Sequence, residues 1–346
     1  MKVLFGSFSA ITVLGGGVEV QMRALAKELA RLDIEVGLFD PWQRYRLADY
    51  HLFHLFGAHV GTYHLGRAIR SLGMKLVVTP VFFSRHNPMR VAATLGMAMK
   101  LRKRGGFWTE HVFCKELCEL ADMVLPNTQA EAEMLTKAFG VPAERIRLLP
   151  NGVEERFYSA SPDVWLKQFG TKDFILYVGH IGWGRKNVLP LLQVLERTGL
   201  PAVLIGTVVA NDYGERCRTI INRSPNIKLV PGLPPDSPLL ESAYAACDTL
   251  VLPSFYETPG LAALEAGLAG AKVCITRFGG TTEYFGDFAT YLDPFSEHSI
   301  LKALRESLAK PRTGELREHI KKNFLWQHSA TRLSAAYTEL LQGRGS

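Results

Sequence analysis

The sequence predicts an α/β protein of two domains, each a parallel sheet flanked by helices. Three observations carry that expectation. Short apolar runs alternate with amphipathic segments along the whole chain, the pattern of parallel strands joined by crossover helices. The alternation pauses at "LLPNGVEERFY", where Pro150, Asn151 and Gly152 are strong punctuation, and then restarts. With 346 residues, the chain is long enough for two separate cores.

In order, "KVLFG" reads as the first strand and leads through "SFSAITVLGGG" into a helix. That helix carries Val18, Met22, Leu25, Leu29 and Leu32 on one side, an apolar stripe. The strands "EVGLF", "YHLFHLF", "KLVVTPVFF" and "MVLPN" follow, with helical stretches between them. After the pause, "FILYVG", "AVLIG", "IKLVPG", "TLVLPS" and "KVCITR" form a second set. Helices fit "NVLPLLQVLERTG", "PLLESAYAAC" and "PGLAALEAGLAG". The second half repeats the architecture of the first without its sequence. The expectation is two facing Rossmann-like domains, residues 1–152 and 153–328, with a ligand in the cleft beyond the carboxyl ends of the strands. A last helix, within 329–346, is expected to cross back to the first domain.

Composition narrows the function. Hydrophobic residues make up 47% and charged residues 21%, the balance of a soluble globular protein. The net charge of +7 favours an acidic partner, and nucleic acid, an anionic membrane and a phosphorylated substrate share that sign. No nucleic-acid motif occurs, which sets the first aside. Five cysteines, an odd number, read as reduced buried thiols in a cytoplasmic protein. The opening "MKVLFGSFSAITVL" has the outline of a signal peptide but reads better as a first strand. No stretch is long and apolar enough to span a bilayer.

The stretch "SFYETPGLAALEAGLAGAK", residues 254–272, concentrates the chemistry. Leu261, Leu264 and Leu268 recur at helical spacing and face a core, with Glu265 on the edge of that face. A buried carboxylate needs a partner. The strand "TLVLP" feeds the loop "SFYE", after which Thr258 reads as the N-cap and Pro259 as the first helical residue. The free N–H groups of that helix start, near Gly260, suit an anion such as phosphate. Glu265, seven residues beyond the cap, lies roughly 10 Å along the axis, about the reach from a diphosphate to the far side of a ribose. There it can accept hydrogen bonds from both ribose hydroxyls.

Glu257 and Glu265 enclose seven residues, and the segment resembles the E-x7-E motif of the family 4 retaining glycosyltransferases, which have the GT-B fold. "YVGHIGWGRKNVLPLLQVL" is similar to that family's donor-site strand and helix. "LPNTQAEAEML…VPAERIRLLPNGVEERF" is similar to its interdomain segment. "GGGVEVQMRALAKELARL" resembles its first glycine-rich loop and helix, and "FGGTTEYFGD…YLDP" its GG-x-x-E segment. The resemblance implies that Glu265 holds the nucleotide ribose and Glu257 the donor-sugar hydroxyls, with Gly260 and Leu261 beside them. It implies that Arg185 and Lys186 neutralise the diphosphate, whose departure needs its growing charge stabilised. Gly16 and Gly17, lacking Cβ, would let the backbone approach the same phosphates or the acceptor. No Asp-x-Asp occurs, so no metal is signalled, and no cofactor beyond the nucleotide-diphosphate sugar is implied. The implied reaction is retaining, metal-independent transfer of a sugar to a glycan or lipid-linked acceptor, in cell-surface polysaccharide or glycoconjugate synthesis. The implied location is cytoplasmic, with the inner face of the membrane as a further option.

The chain departs from the family pattern in three places. His180 stands where many relatives have arginine. Thr258-Pro259-Gly260 replaces Gly-Phe-Gly, and proline offers no N–H to the sugar. Val81 stands near the usual histidine, with His86 as a substitute. His54 matches a cleft-lining position and is the other acceptor-side candidate. "HLFHLFGAHVGTYH" suggests a metal site, but a strand points His51 and His54 to opposite faces, poor ligand geometry. Glu283 reads either as part of the GG-x-x-E segment or as a helix cap. Residues 90–108 mix Lys100, Arg102, Lys103 and Arg104 with Met97, Met99, Phe107 and Trp108. They fit an anionic membrane surface or a solvated helix end equally. Two rival functions remain open, a sugar-nucleotide epimerase and a non-catalytic sugar-nucleotide-binding module. A dinucleotide oxidoreductase is set aside because "GSFSAITVLGGG" is not G-x-G-x-x-G.

Overall fold

A computed structural model describes residues 1–105 and 109–343, so Phe107 and Trp108 of the basic segment lie outside the described residues, as do the side chains of Lys103 and Arg104. The chain folds as two compact units, one of Met1–Gly152 with Trp326–Ser346 and one of Val153–Leu325.

The first unit is built on β1 (Lys2–Gly6), β2 (Glu35–Leu38), β3 (Leu52–Phe56), β4 (Leu76–Thr79) and β5 (Met123–Val124). They pair in parallel in the order β2-β1-β3-β4-β5. The second contains β6 (Ile175–Val178), β7 (Ala202–Ile205), β8 (Ile227–Val230), β9 (Thr249–Leu252), β10 (Lys272–Thr276) and β11 (Thr290–Leu292). Their order is β11-β10-β9-β6-β7-β8, again parallel. Both sheets are doubly wound, with strand order reversing at β1/β3 and at β6/β9. Helices cover both faces of such a sheet, which is why its strands are continuous apolar runs. Every residue of β3, β4, β7 and β9 is buried.

The ten strands expected from sequence all form, and the differences have local causes. β4 stops at Thr79 because Pro80 has no N–H to donate, and Val81 leaves the strand with φ +55°. "PVFF" is therefore loop. β11 was not anticipated: three residues beside one neighbour leave little pattern to read. The helix Gly17–Ala30 buries Met22, Leu25 and Leu29, but it ends before Leu32, which is 41% exposed.

The C-terminal helix runs Trp326–Leu341, three residues longer at its start than expected, and packs on Gly17–Ala30 in the first unit. Ser329 Oγ donates to the Pro150 carbonyl at 2.6 Å, and Arg147 pairs with Glu339. Tyr337 Oη reaches His54 Nδ1 at 2.5 Å while Thr79 Oγ1 meets Nε2 at 2.8 Å. This corrects the expectation for His54. Its ring is fully buried, stacked on Phe56, with both nitrogens engaged, so it presents nothing to an acceptor. Burial also holds its pKa well below the usual histidine value, so it stays neutral. Tyr337→Phe should therefore orphan a buried nitrogen and cost about 1–3 kcal/mol. Urea unfolding of wild type and variant measures that loss, and an unchanged midpoint would mean the contact carries no stability.

Candidate functional site

The acidic loop after β9 is held by backbone pairing with the loop after β10. Glu257 N–H donates to the Phe278 carbonyl at 3.1 Å, and the Glu257 carbonyl accepts from Gly280 N–H at 3.0 Å. Gly279 lies between them at φ +98°, and a Cβ there would sit 2.0 Å from the Glu257 carbonyl oxygen. Only glycine permits that approach. Gly280's N–H is thereby taken, so it is not a free donor for a diphosphate.

Glu257 is 5% exposed and its Oε1 accepts from Lys186 Nζ and from Ser254 Oγ, each at 2.6 Å. Arg185 Nη1 lies 3.9 Å from Oε2. Burial would push this carboxyl up, but the Lys186 and Arg185 charges outweigh it and hold the group below the usual carboxylate range. Two cations around one carboxylate leave a net positive charge.

The basic turn is placed by its own buried anchor. Gly184–Lys186 form a single 3₁₀ turn, and Asn187 follows at φ +51° to start the helix Val188–Thr198. Asn187 Nδ2 donates to the carbonyls of Pro253 (3.1 Å) and Pro294 (2.7 Å), tying the turn to the ends of β9 and β11. Phe255 N–H donates to the Arg185 carbonyl at 2.9 Å, and the Arg185 guanidinium reaches the Tyr256 carbonyl at 3.1 Å. Sequence reading named Arg185, Lys186 and Glu257 and missed Asn187 and Ser254. A lone asparagine between a basic pair and the apolar run "VLPLL" was the available signal for the first.

Glu265 sits apart from this cluster. Its helix is Leu261–Leu268, and the N-cap is Gly260 at φ +88°, not Thr258; Pro259 precedes the helix instead of opening it. A left-handed Gly260 cannot be a helical residue, which moves the start two residues on. The half-buried carboxylate has the partner its burial demands: Tyr244 Oη, from helix Pro238–Ala246, donates to Oε2 at 2.6 Å. Oε1 has no hydrogen-bond partner among the described residues. Burial raises the Glu265 carboxyl above its ordinary value, against the Tyr244 bond and the Arg156 charge.

His180 stacks on Trp183, ring centroids 4.3 Å apart. Burial and then the Lys186 charge lower its pKa, so near neutrality it brings no cation where relatives carry arginine. In the first unit, Gly16 caps Gly17–Ala30 at φ +113°, with open space where a Cβ would lie. His86 is exposed on the loop after β4. Val81 holds a left-handed backbone rare for a β-branched residue. Glu283 is exposed in the short helix Thr281–Phe285. Among the described residues, no three His, Cys, Asp or Glu side chains are grouped to hold a metal ion.

Known families match this arrangement along most of the chain. The description "Glycosyltransferase Family 4" matches residues 39–157, and "Glycosyl transferases group 1" matches residues 165–324, which contain Lys186, Glu257 and Glu265. The chain belongs to the family 4 glycosyltransferases. This glycosyltransferase sequence is 29% identical over 243 residues to a D-inositol 3-phosphate glycosyltransferase of Actinosynnema mirum, covering 63% of this chain and 57% of that one. It is 27% identical over 240 residues to an O-antigen chain mannosyltransferase B of Escherichia coli, covering 64% and 62%. The match thus spans little more than half the length of these curated relatives. In fold, it resembles the sucrose-phosphate synthase of Thermosynechococcus elongatus, with a TM-score of 0.78 at 19% identity over 99% of this chain and 100% of that one. It also resembles Anabaena HepE in complex with UDP and glucose, with a TM-score of 0.71 at 17% identity over 98% and 100%. The fold is therefore the GT-B type.

One membrane-related feature of this glycosyltransferase chain differs from the sequence reading. Arg102, in helix Pro88–Gly105, is bound to Glu116, so it is not part of a free basic face. Among the described residues, no helix is long and apolar enough to cross a membrane.

Proposed function

We propose that the protein transfers a sugar from a nucleotide-diphosphate sugar to a glycan or lipid-linked acceptor, retaining the anomeric configuration and needing no metal. The observation that carries this is the buried Glu257 carboxylate held between Lys186 and Arg185. The pair leaves excess positive charge beside an acceptor of sugar hydroxyls, which is what a departing diphosphate and its sugar require. Stabilisation that grows as the leaving group gains charge lowers the barrier instead of merely tightening binding. In the step, the bond from the anomeric carbon to the phosphate oxygen breaks while the acceptor oxygen bonds on the same face. The acceptor proton passes to the leaving phosphate, so no side-chain base is required. Glu265 accepts a ribose hydroxyl at its unoccupied Oε1. A neighbour in fold crystallised with UDP-glucose supports the donor class, and the O-antigen relative supports a glycan acceptor in polysaccharide synthesis. With such an acceptor the proposed location is the cytoplasm, with the inner membrane face as an option supported by Lys100 and the exposed Met97 and Leu101 of helix Pro88–Gly105.

The test begins with a thermal-shift panel of UDP, GDP, ADP and dTDP sugars, since a ligand stabilises the folded state by mass action. NMR of the product formed with the best donor, with and without excess EDTA, then reads stereochemistry and metal dependence. Retained configuration and undiminished rate in EDTA are expected. Inverted product removes the retaining mechanism, and loss of rate in EDTA removes metal independence. Product from the donor alone indicates an epimerase, and binding without turnover indicates a non-catalytic module. Glu265→Gln should weaken nucleoside diphosphate binding about tenfold, because an amide accepts at one end only and Tyr244 already claims an acceptor. Unchanged affinity by calorimetry would take the ribose away from Glu265.

A further inference from the structure

In the second unit, His180 is a half-buried ring whose polar atoms have no use within the fold. It lies two residues beyond β6, where the strand order reverses between β6 and β9, and open parallel sheets bind ligands at such a point. The backbone on either side of it is fixed. Its carbonyl accepts from Tyr177 Oη at 2.9 Å. The buried Ile181 that follows donates to the Thr207 carbonyl at 2.9 Å and accepts from Val209 N–H at 2.7 Å. The imidazole lies on Trp183 with 27° between the ring planes. Trp183 in turn is tied to the basic turn, its carbonyl accepting from Lys186 N–H at 2.9 Å. Neither imidazole nitrogen makes a hydrogen bond among the described residues.

The charges around the ring explain its resting state. Burial and the Lys186 ammonium keep the imidazole neutral near pH 7. Arg185, from the same turn, and Glu257, from the loop after β9, complete that cluster. Helix Asp212–Arg223, tied by Asn211 Nδ2 to the Gly182 carbonyl at 3.2 Å, carries the exposed Asp212, Glu215 and Arg216. None of these five groups shifts the imidazole, and no carboxylate among the described residues holds a proton on it. An entering diphosphate reverses this balance. Lys186, Arg185 and Glu257 together hold one net positive charge. A nucleotide sugar brings a negative charge on each of its phosphates, and the departing nucleoside diphosphate carries more. A negative neighbour raises the pKa of an imidazole, and both nitrogens of the charged ring are donors. The Trp183 indole face on which the ring rests favours the charged form further.

We propose that His180 takes up a proton from solvent as the donor binds, contacts the diphosphate as imidazolium, and returns the proton when the nucleoside diphosphate leaves; this rests on the donor reading above. Affinity is then full below the pKa of the free ring and is lost as pH rises through that of the complex, by at most about tenfold per pH unit. The probes are UDP-glucose, GDP-mannose, ADP-glucose and dTDP-glucose. Their diphosphates are diesters that do not titrate in this range, unlike free nucleoside diphosphates, which lose a proton at about pH 6. Calorimetry of the full chain between about pH 5.5 and 8.5, in buffers of different ionisation enthalpy, counts the protons taken up. The wild type is expected to take up a proton, with affinity falling as pH rises. His180→Gln should bind at the wild type's alkaline level at every pH, without uptake. His180→Arg, a fixed cation, should bind near the acid level at every pH, again without uptake. Wild-type binding that is independent of pH and free of proton uptake would overturn the proposal. Uptake left intact by His180→Gln would also overturn it, since the proton then belongs to another group. Where His180→Gln fails to fold or to bind, the same count on His180→Arg decides. Both overturning results leave the donor reading standing. If none of the four nucleotide sugars binds the wild type at any pH, the donor reading falls and this proposal with it.

Discussion

Lys186→Ala is expected to lower turnover by about 10²–10³-fold, the range seen when one charge-stabilising donor is removed from a transition state. The Lys186 ammonium is 2.6 Å from a carboxylate that is nearly inaccessible to water, and the remaining cation, Arg185, stands off at 3.9 Å. Two losses are therefore superimposed, that of the charge facing the leaving group and that of the counter-ion of Glu257. Breaking a buried pair from one side costs about 3–5 kcal/mol. The double variant Lys186→Met/Glu257→Gln separates them, because it removes both charges and should recover most of the stability while turnover stays low. A pH dependence gives a second check. In the wild type the folded-state pKa of Glu257 is depressed, so its stabilisation is present above the unfolded carboxylate pKa and is lost as pH falls through the folded value. In Lys186→Ala, burial dominates and the sign reverses: the folded group prefers its proton, and stability drops as pH rises past about 4.3. The deficit of the variant should then narrow on acidification. A variant with wild-type turnover would remove Lys186 from the chemistry.

Gly279→Ala should be the most damaging single methyl group in the second unit's acidic site. The new Cβ would lie 2.0 Å from a backbone oxygen that belongs to Glu257 itself, at a φ of +98° that alanine resists. A backbone atom cannot turn aside as a side chain can, so one loop has to move and the Glu257 carboxylate moves with it. A displacement of about 1 Å at a reacting centre is enough for a 10²-fold loss. The strain and clash together should cost about 3–5 kcal/mol. Gly140→Ala is the control: its φ is +73° but no atom lies within 4 Å of the added Cβ, so it should cost about 1–2 kcal/mol and leave turnover unchanged. Equal effects of the two substitutions in urea unfolding and in turnover would show that the Glu257–Gly279 approach is not needed.

The strands were legible because a sheet covered on both faces uses apolar residues without interruption, and "LFHLF" or "AVLI" can hardly be anything else. The limits of elements were less so, since they depend on single backbone angles. Nothing in "ETPGL" announces that Gly260 turns left-handed and delays the helix by two residues. Side-chain roles followed the same division. Lys186 and Glu257 were each named from sequence, but for the diphosphate and the sugar hydroxyls; that they pair with one another, as buried charges must, became visible only in the fold. His54 misled because its type suggested chemistry, whereas its partners, Thr79 and Tyr337, lie 25 and 283 residues away in sequence. Tyr244 escaped notice as the partner of Glu265 for the same reason: a tyrosine in an apolar helix reads as core until its hydroxyl is located.

The placement of the last helix in the first unit sets an order on synthesis. Residues 1–152 leave the ribosome first, yet the surface of helix Gly17–Ala30 and the nitrogen of His54 stay uncovered until Trp326–Leu341 has been translated. The second unit, continuous from Val153 to Leu325, can close while the first is still waiting. A nascent chain of this kind holds an open apolar seam for the time taken to add about 190 residues, some tens of seconds at bacterial or slower elongation rates. Exposure of that seam during the interval, and sensitivity to any truncation that removes Tyr337, follow from the connectivity rather than from the strength of either core.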